Sequence, residues 1–256
     1  MKRPPTPTRQ ATIEALLERS KRPNNALPIR RTFLQQGTLR HPQPGPLAEL
    51  VHRHDERALD QYLLLHAAAS ADPWNVDLPA ATWARAMGLA GETATSAVSK
   101  TWRRLEDLGL VARTRSRRLA SVTLLREDGS GEPYTHPGRG RDREPYFKLP
   151  YAYWTDEQEW HRTLKLPAKA VLLIALSLRD DFILPAERAP DWYDLSPDSA
   201  DRGLRMLRQK GLLQRRTELK VAPLSAIGVT EEFHYTLKPP FGPHAGRPTR
   251  RRRAAS

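Results

Sequence analysis

Apolar residues recur along this chain with helical spacing in two places, and the two places read alike. From 94 to 105, Ala94, Val98, Trp102 and Leu105 fall three or four residues apart on one helical face. From 200 to 207, Ala200, Leu204 and Leu207 do the same. Set side by side 102 residues apart, WRRLEDLGLVARTRSRR and LRMLRQKGLLQRRTELK match Arg103 to Arg205, Leu105 to Leu207, Gly109-Leu110 to Gly211-Leu212 and Arg113 to Arg215. Each run predicts an amphipathic helix stopped by glycine, which takes the left-handed conformation of a helix end without a Cβ penalty. A short basic strand follows each.

The elements predicted around the two runs share one order. In the first half LAELVHRHDERALDQYLLLHAAAS reads as one helix that Asp72-Pro73 stops. An extended piece at 75–78, a helix at 80–87 and a helix at 93–108 follow, and VARTRSRR with ASVTLLRE forms a hairpin. In the second half a strand-like YFKLP and an aromatic stretch, YAYWTDEQEW, precede the apolar helix PAKAVLLIALSL. Then come an extended 182–184, a short helix at 190–193 and a helix that Ser196 caps and Pro197 starts. QRRTELKV and FHYTLK make its hairpin. Helix, short strand, helix, helix, hairpin, twice over, predicts a mainly α fold with small β-hairpins (α+β), two winged helix-turn-helix domains in tandem. The expected boundaries are 47–126 and 146–241, joined by a Gly/Pro-rich linker at 127–145. Residues 1–46 read as a basic, Pro-rich, mostly disordered arm with one short helix in ATIEALLERS, and 242–256 as a disordered Arg-rich tail.

Charge lies unevenly on this frame. Of a net +13, residues 1–43 hold nine Lys/Arg against two Glu, and 242–256 hold five Arg with no acid. The body between them is nearly neutral, with 28 basic and 27 acidic residues. Within it, 100–126 carry eight basic residues against two acidic, and 202–220 carry seven against one. Both islands coincide with the repeat, which implies a polyanionic partner.

In a helix-turn-helix the third helix packs one face on its domain and offers the other to the major groove. The outward set is Ser96, Lys100, Arg103 and Asp107, flanked by Ser99 and Arg104, in the first copy. In the second it is Asp198, Arg202, Arg205 and Gln209, flanked by Ser199. Arg and Lys bond guanine edges, Gln bonds adenine, and Ser bonds bases or phosphates. The hairpins would hold phosphates through Arg113, Arg115, Arg117 and Arg118, and through Arg215, Arg216 and Lys220. Arg250, Arg251, Arg252 and Arg253 would anchor the tail or enter a minor groove. A charged outer face belongs to any amphipathic surface helix; its recurrence beside a glycine stop and a basic hairpin is what points to DNA.

The stretch YFKLPYAYWTDEQEWHRTLKLPAKAVLLIALSL, with LSPDSADRGLRMLRQKGLL after it, resembles the winged-helix module of plasmid replication initiators and related bacterial regulators. The likeness covers about 146–238, with a weaker echo over 47–126. It implies two winged helices that bind origin or operator DNA, with control of replication or of transcription as the role. The long Pro/Arg-rich N-terminus departs from that pattern.

Enzymatic chemistry has little footing. His52, His54, Asp55 and His66 would sketch a metal site, but residues two apart do not share a helical face. No G-x-x-x-x-G-K-[ST] loop occurs, and GRGRDR reads as linker. The six tryptophans fall mostly on inward faces, as core. No apolar run reaches the length of a membrane span, the N-terminus lacks a signal-peptide pattern, and cysteine is absent. The sequence therefore predicts a cytoplasmic, nucleoid-associated bacterial protein that binds double-stranded DNA without cofactor or catalysis. A homodimer mate or a replication or transcription protein is its candidate protein partner. The alternative is a winged-helix interaction module in which the aromatic segment at 146–160 docks a partner and DNA binding is non-specific.

Overall fold

Thr8 caps the first helix, α1 (Arg9–Ser20), by accepting the Ala11 N–H at 3.1 Å, and Ile13, Leu16 and Leu17 bury its apolar face. The computed structural model describes residues 5–22, 24–38, 40–116, 119–138, 144–224 and 228–242. β1 (Ala26–Arg30) is buried at every position and pairs antiparallel with β7 (Tyr146–Pro150), setting Ala26 against Pro150 and Arg30 against Tyr146. A 3-10 turn at Arg31–Phe33 and a ribbon of β2 (Gln35–Gly37) with β3 (Pro42–Pro44) follow. The expectation of a disordered arm therefore gives way over the described part of 1–46. Leu27, Ile29, Phe33 and Leu34 bury as core, an apolar contribution that Pro and Arg mask when composition is averaged.

The helix expected from 47 onward is two helices, α2 (Pro46–His52) and α3 (Glu56–Ala68). His54 turns the chain with a φ of 52°, and Asp55 restarts it by accepting the Ala58 N–H at 3.1 Å. Then come β4 (Asn75–Asp77), α4 (Ala80–Ala86), α5 (Ala94–Asp107) and the hairpin of β5 (Val111–Ser116) with β6 (Leu119–Leu124), in the antiparallel order β4-β6-β5. After β7 the second half runs through two short turns, α6 (Ala152–Thr155) and α7 (Trp160–Thr163), into α8 (Leu166–Ser177). β8 (Phe182–Ile183), α9 (Ala189–Tyr193), α10 (Pro197–Gln209) and the hairpin of β9 (Leu213–Val221) with β10 (Val229–Leu237) complete it, in the order β8-β10-β9. The fold is α+β with small antiparallel sheets, and α3 to β6 and α8 to β10 run through the same element order.

α5 and α10 end alike, at Gly109 and Gly211 with φ of 66° and 72°. They pack differently. Gly203 lets α10 lie against α8, because a Cβ there would stand 2.5 Å from the Val171 side chain and 2.6 Å from the Pro167 carbonyl. The matching position in α5 is Thr101, buried and bonded to the Ala97 carbonyl at 2.9 Å.

One apolar core runs through both halves, and two buried ion clusters cross it. Arg30, 1% exposed, donates to Glu127 (2.6 Å), Thr135 (2.7 Å) and Glu144, and His66 meets Glu127 at 3.3 Å. Burial pushes the Glu127 carboxyl up, but His66 and Arg30 together outweigh it and hold the group below its ordinary value. Lys169 on α8, also 1% exposed, donates to Asp60 and Glu56 of α3 at 2.7 and 2.8 Å. Burial raises the Asp60 carboxyl despite that lysine. The described part of the expected linker is therefore structural: Glu127 is fully buried and Tyr134 nearly so. Among the described residues no helix is long and apolar enough to cross a membrane.

Candidate nucleic-acid interface

α5 turns Ala94, Val98, Trp102 and Leu105 inward, the expected stripe, and buries Thr101 beside them, with Trp102 edge-on to Trp83 of α4 at 5.1 Å. That packing leaves Ser96, Ser99, Lys100 and Arg103 exposed together on the opposite face. No acid stands in the first turn, and no side chain caps the N-terminus. Lys100 and Arg103 reach no carboxylate among the described residues. Arg104 differs from its expected role: it is clamped on Asp55, the α3 cap, with a second contact at 3.0 Å. Its charge is spent on joining α5 to α3.

The first hairpin adds Arg113, held against α5. Its backbone N–H and guanidinium both go to Glu106, at 3.1 and 2.8 Å, and the guanidinium also reaches the Ser99 carbonyl at 3.4 Å. This cation stands beside the Ser99–Arg103 face and is partly neutralised there. The Arg115 side chain, Arg117, Arg118, Arg250, Arg251, Arg252 and Arg253 lie outside the described residues.

α10 presents the matching face with its charges paired. Ser196 accepts the Ser199 N–H at 3.2 Å, and Asp198 sits in the first turn. Arg202 lies 3.1 Å from Asp198 and 3.3 Å from the Ser199 hydroxyl, and Arg205 is bound to Asp201. Gln209 is exposed at the end of the helix.

The second hairpin is likewise engaged. The Arg215 guanidinium stacks on Phe233, 4.4 Å from the ring centroid. Arg216 bridges Asp181 and Glu218 at 2.8 and 2.9 Å, and Lys220 pairs with Glu232 at 2.5 Å. The Arg216 hydrogen bond holds the Asp181 carboxyl below its ordinary range, and Lys220 does the same for Glu232.

No protein-family model, curated protein or solved structure matches the chain. Its site is therefore argued from its own geometry. The predicted residues come together as a face with free cations on α5 and a self-paired face on α10. The sequence reading missed the counter-charges Glu106, Asp181, Asp201, Glu218 and Glu232. Two pairs were legible, since Asp198/Arg202 and Asp201/Arg205 stand at i,i+4, a spacing that joins side chains on a helix. The histidines weighed as metal ligands are dispersed, with His66 buried on Glu127 and His52 at the surface near Asp194. Of the aromatic segment considered as a docking site, Phe147, Leu149, Tyr151, Tyr153, Trp154 and Trp160 are buried and Tyr146 is exposed. A cleft of about 410 Å³ between β7 and the end of α8 is lined by Tyr146, Lys148, Arg179 and Phe241 among others, and by none of the predicted DNA contacts.

Proposed function

We propose that this protein binds double-stranded DNA through two winged-helix units of unequal strength, with α5 the principal reader. The observation that carries the reading is the exposed face of α5: hydroxyls and two cations with no acid partner, beside a hairpin that adds Arg113. Lys100 and Arg103 suit guanine edges or phosphates, and Ser96 and Ser99 suit either. The acid-free first turn adds the positive end of the helix dipole, which favours phosphate. α10 and its hairpin would position the complex rather than read it, because Arg202, Arg205, Arg216 and Lys220 must first leave Asp198, Asp201, Asp181 with Glu218, and Glu232.

The role we assign is control of replication initiation or of transcription on a bacterial mobile element or chromosome, in the cytoplasm and without chemistry of its own. Selection of bound fragments from random DNA tests it. Enriched fragments should share one strong half-site, and the Lys100→Ala/Arg103→Ala variant should lose that motif. Recovery of no motif, or of an unchanged motif with that variant, would sink the reading.

A further inference from the structure

β9 is an edge strand. In the order β8-β10-β9 it pairs, among the described residues, with β10 alone, and eight of its nine residues are exposed. Unpaired edges of this length template pairing with another chain unless something guards them. The residues that alternate toward the core, Leu213, Arg215, Thr217, Leu219 and Val221, start buried at Leu213, opposite Leu237. The hairpin then projects past the core and leaves Leu219 67% and Val221 83% exposed. With Leu224 at the tip, these are three of the four large hydrophobic residues exposed among those described, the other being Tyr146. The projecting part, 217–233, carries Glu218, Glu231 and Glu232 against Lys220 alone. An apolar, net acidic surface is poorly matched to a phosphate backbone and suits a protein.

The charge order along β9 selects which protein. Antiparallel self-pairing about a two-fold axis brings one residue opposite its own copy, so each register has a single central residue. Centred on Thr217, all nine residues align: Arg216 faces Glu218 of the second copy, Glu218 faces its Arg216, Arg215 faces Leu219 and Leu213 faces Val221. Moving the centre by one residue sets Arg216 on Arg216 or Glu218 on Glu218. A centre at Leu219 avoids like charges but aligns only five residues of the strand, 217–221. Opposite charges directly across a strand pair stabilise it and like charges oppose it.

We infer that β9 is a self-pairing edge: two copies of this chain join antiparallel about Thr217, making one sheet ordered β8-β10-β9-β9-β10-β8. The guard charges of the edge thereby become its specificity. This inference does not depend on DNA binding, and its test is run without DNA, so its failure leaves the DNA reading standing.

The chain has no cysteine, so Thr217→Cys supplies a lone thiol at the axis. Directly opposed residues in an antiparallel pair have Cα atoms about 4.5–5.5 Å apart, inside the roughly 4.4–6.8 Å that a disulfide spans. Mild oxidation of Thr217→Cys should give a covalent dimer of twice the 29.1 kDa chain mass. Leu219→Cys, four residues out of register with its mate, should stay largely monomeric. In sedimentation of the cysteine-free chain, Arg216→Glu and Glu218→Arg should each weaken the dimer on the order of tenfold or more. The double variant Arg216→Glu/Glu218→Arg should restore it, which misfolding cannot imitate. A monomer at all concentrations, cross-linking that prefers Leu219→Cys, or a double variant no better than the singles would each overturn the inference.

Discussion

α5 and α10 hold the same charges in opposite order. α5 carries Lys100, Arg103 and Arg104 against Glu106 and Asp107; α10 carries Arg202, Arg205 and Arg208 against Asp198 and Asp201. Each sums to +1, yet α10 sets its acids in its N-terminal half, and Asp198, in the first turn, is favoured by the helix dipole by about 0.3–1 kcal/mol. Arg202 and Arg205 follow those acids four residues later and pair with them, while Arg208 meets no acid among the described residues. α5 sets its acids at the C-terminal end, the unfavourable one, and relies on tertiary partners: Glu106 meets Arg113, and Arg104 meets Asp55. A helix made for its own stability looks like α10. The local rule that α5 breaks is what leaves Lys100 and Arg103 unpaired, and broken local rules concentrate at functional sites.

The largest expected effect comes from the buried cluster that fixes the N-terminal segment to the first half, Arg30 with Glu127 and His66. Glu127→Ala leaves Arg30 buried without its main carboxylate, and breaking a buried pair costs roughly 3–5 kcal/mol. The melting temperature should shift down sharply; an unchanged value would mean that the buried cluster does not stabilise the fold. The same group sets a pH limit. Its folded pKa lies below the ordinary 4.5, so its contribution is present above that value and is lost as pH falls through it. The Glu127→Ala chain should therefore show a shallower loss of stability below about pH 4.5 than the parent chain.

The next largest effect separates the helices. Lys100→Ala with Arg103→Ala should lower affinity for a selected DNA site roughly 100-fold, about 3 kcal/mol, since each such contact is worth about 1–3 kcal/mol. Arg202→Ala with Arg205→Ala should cost under about fivefold, because those side chains trade an existing ion pair for a new one. Fluorescence anisotropy at fixed salt reads both. Equal losses would erase the distinction between the two readers.

The sequence carried the repeat, the glycine stops and the inward stripes, because each depends on residues within a few positions of one another. The break at Asp55 was also local. It was obscured because Val51 and Leu59 keep the apolar rhythm of one helix going, while the cap that interrupts it is a single side chain. Arg30 and Glu127 lie 97 residues apart, and nothing in either neighbourhood reports the other. Composition labelled both segments as arm and linker, since buried ion pairs and solvated charge contribute alike to an average. The difference between α5 and α10 was half legible. The basic island at 202–220 matches that of the first copy, but just before it stand Asp198 and Asp201, which pair with Arg202 and Arg205.

Those two acids offer a gain of function. Asp198→Asn with Asp201→Asn should release Arg202 and Arg205, raise DNA affinity up to about tenfold and steepen the salt dependence by roughly two phosphate contacts. The change should cost about 0.5–1 kcal/mol of stability at the α10 N-terminus. Affinity and salt slope that both stay put would mean that α10 does not approach DNA at all.

The smallest effect concerns two arginines at one place in the repeat. Arg113 is bound to Glu106, whereas Arg215 stacks on Phe233, and the position matching Glu106 is Arg208. Among the described residues, such a lock between helix and hairpin exists in the first half and not in the second. Glu106→Gln keeps an acceptor for the Arg113 N–H but removes the charge. The pair is partly exposed, so screening limits the stability loss to about 0.5–1 kcal/mol. Two outcomes on DNA are distinguishable. If Glu106 only neutralises Arg113, its removal should strengthen binding up to about threefold, as one more cation reaches a phosphate. If it instead aims the hairpin at the groove that α5 enters, binding should weaken while the salt slope stays constant. We expect the second, because Glu106 takes both the backbone N–H and the guanidinium of Arg113 and so fixes the strand and its side chain against α5.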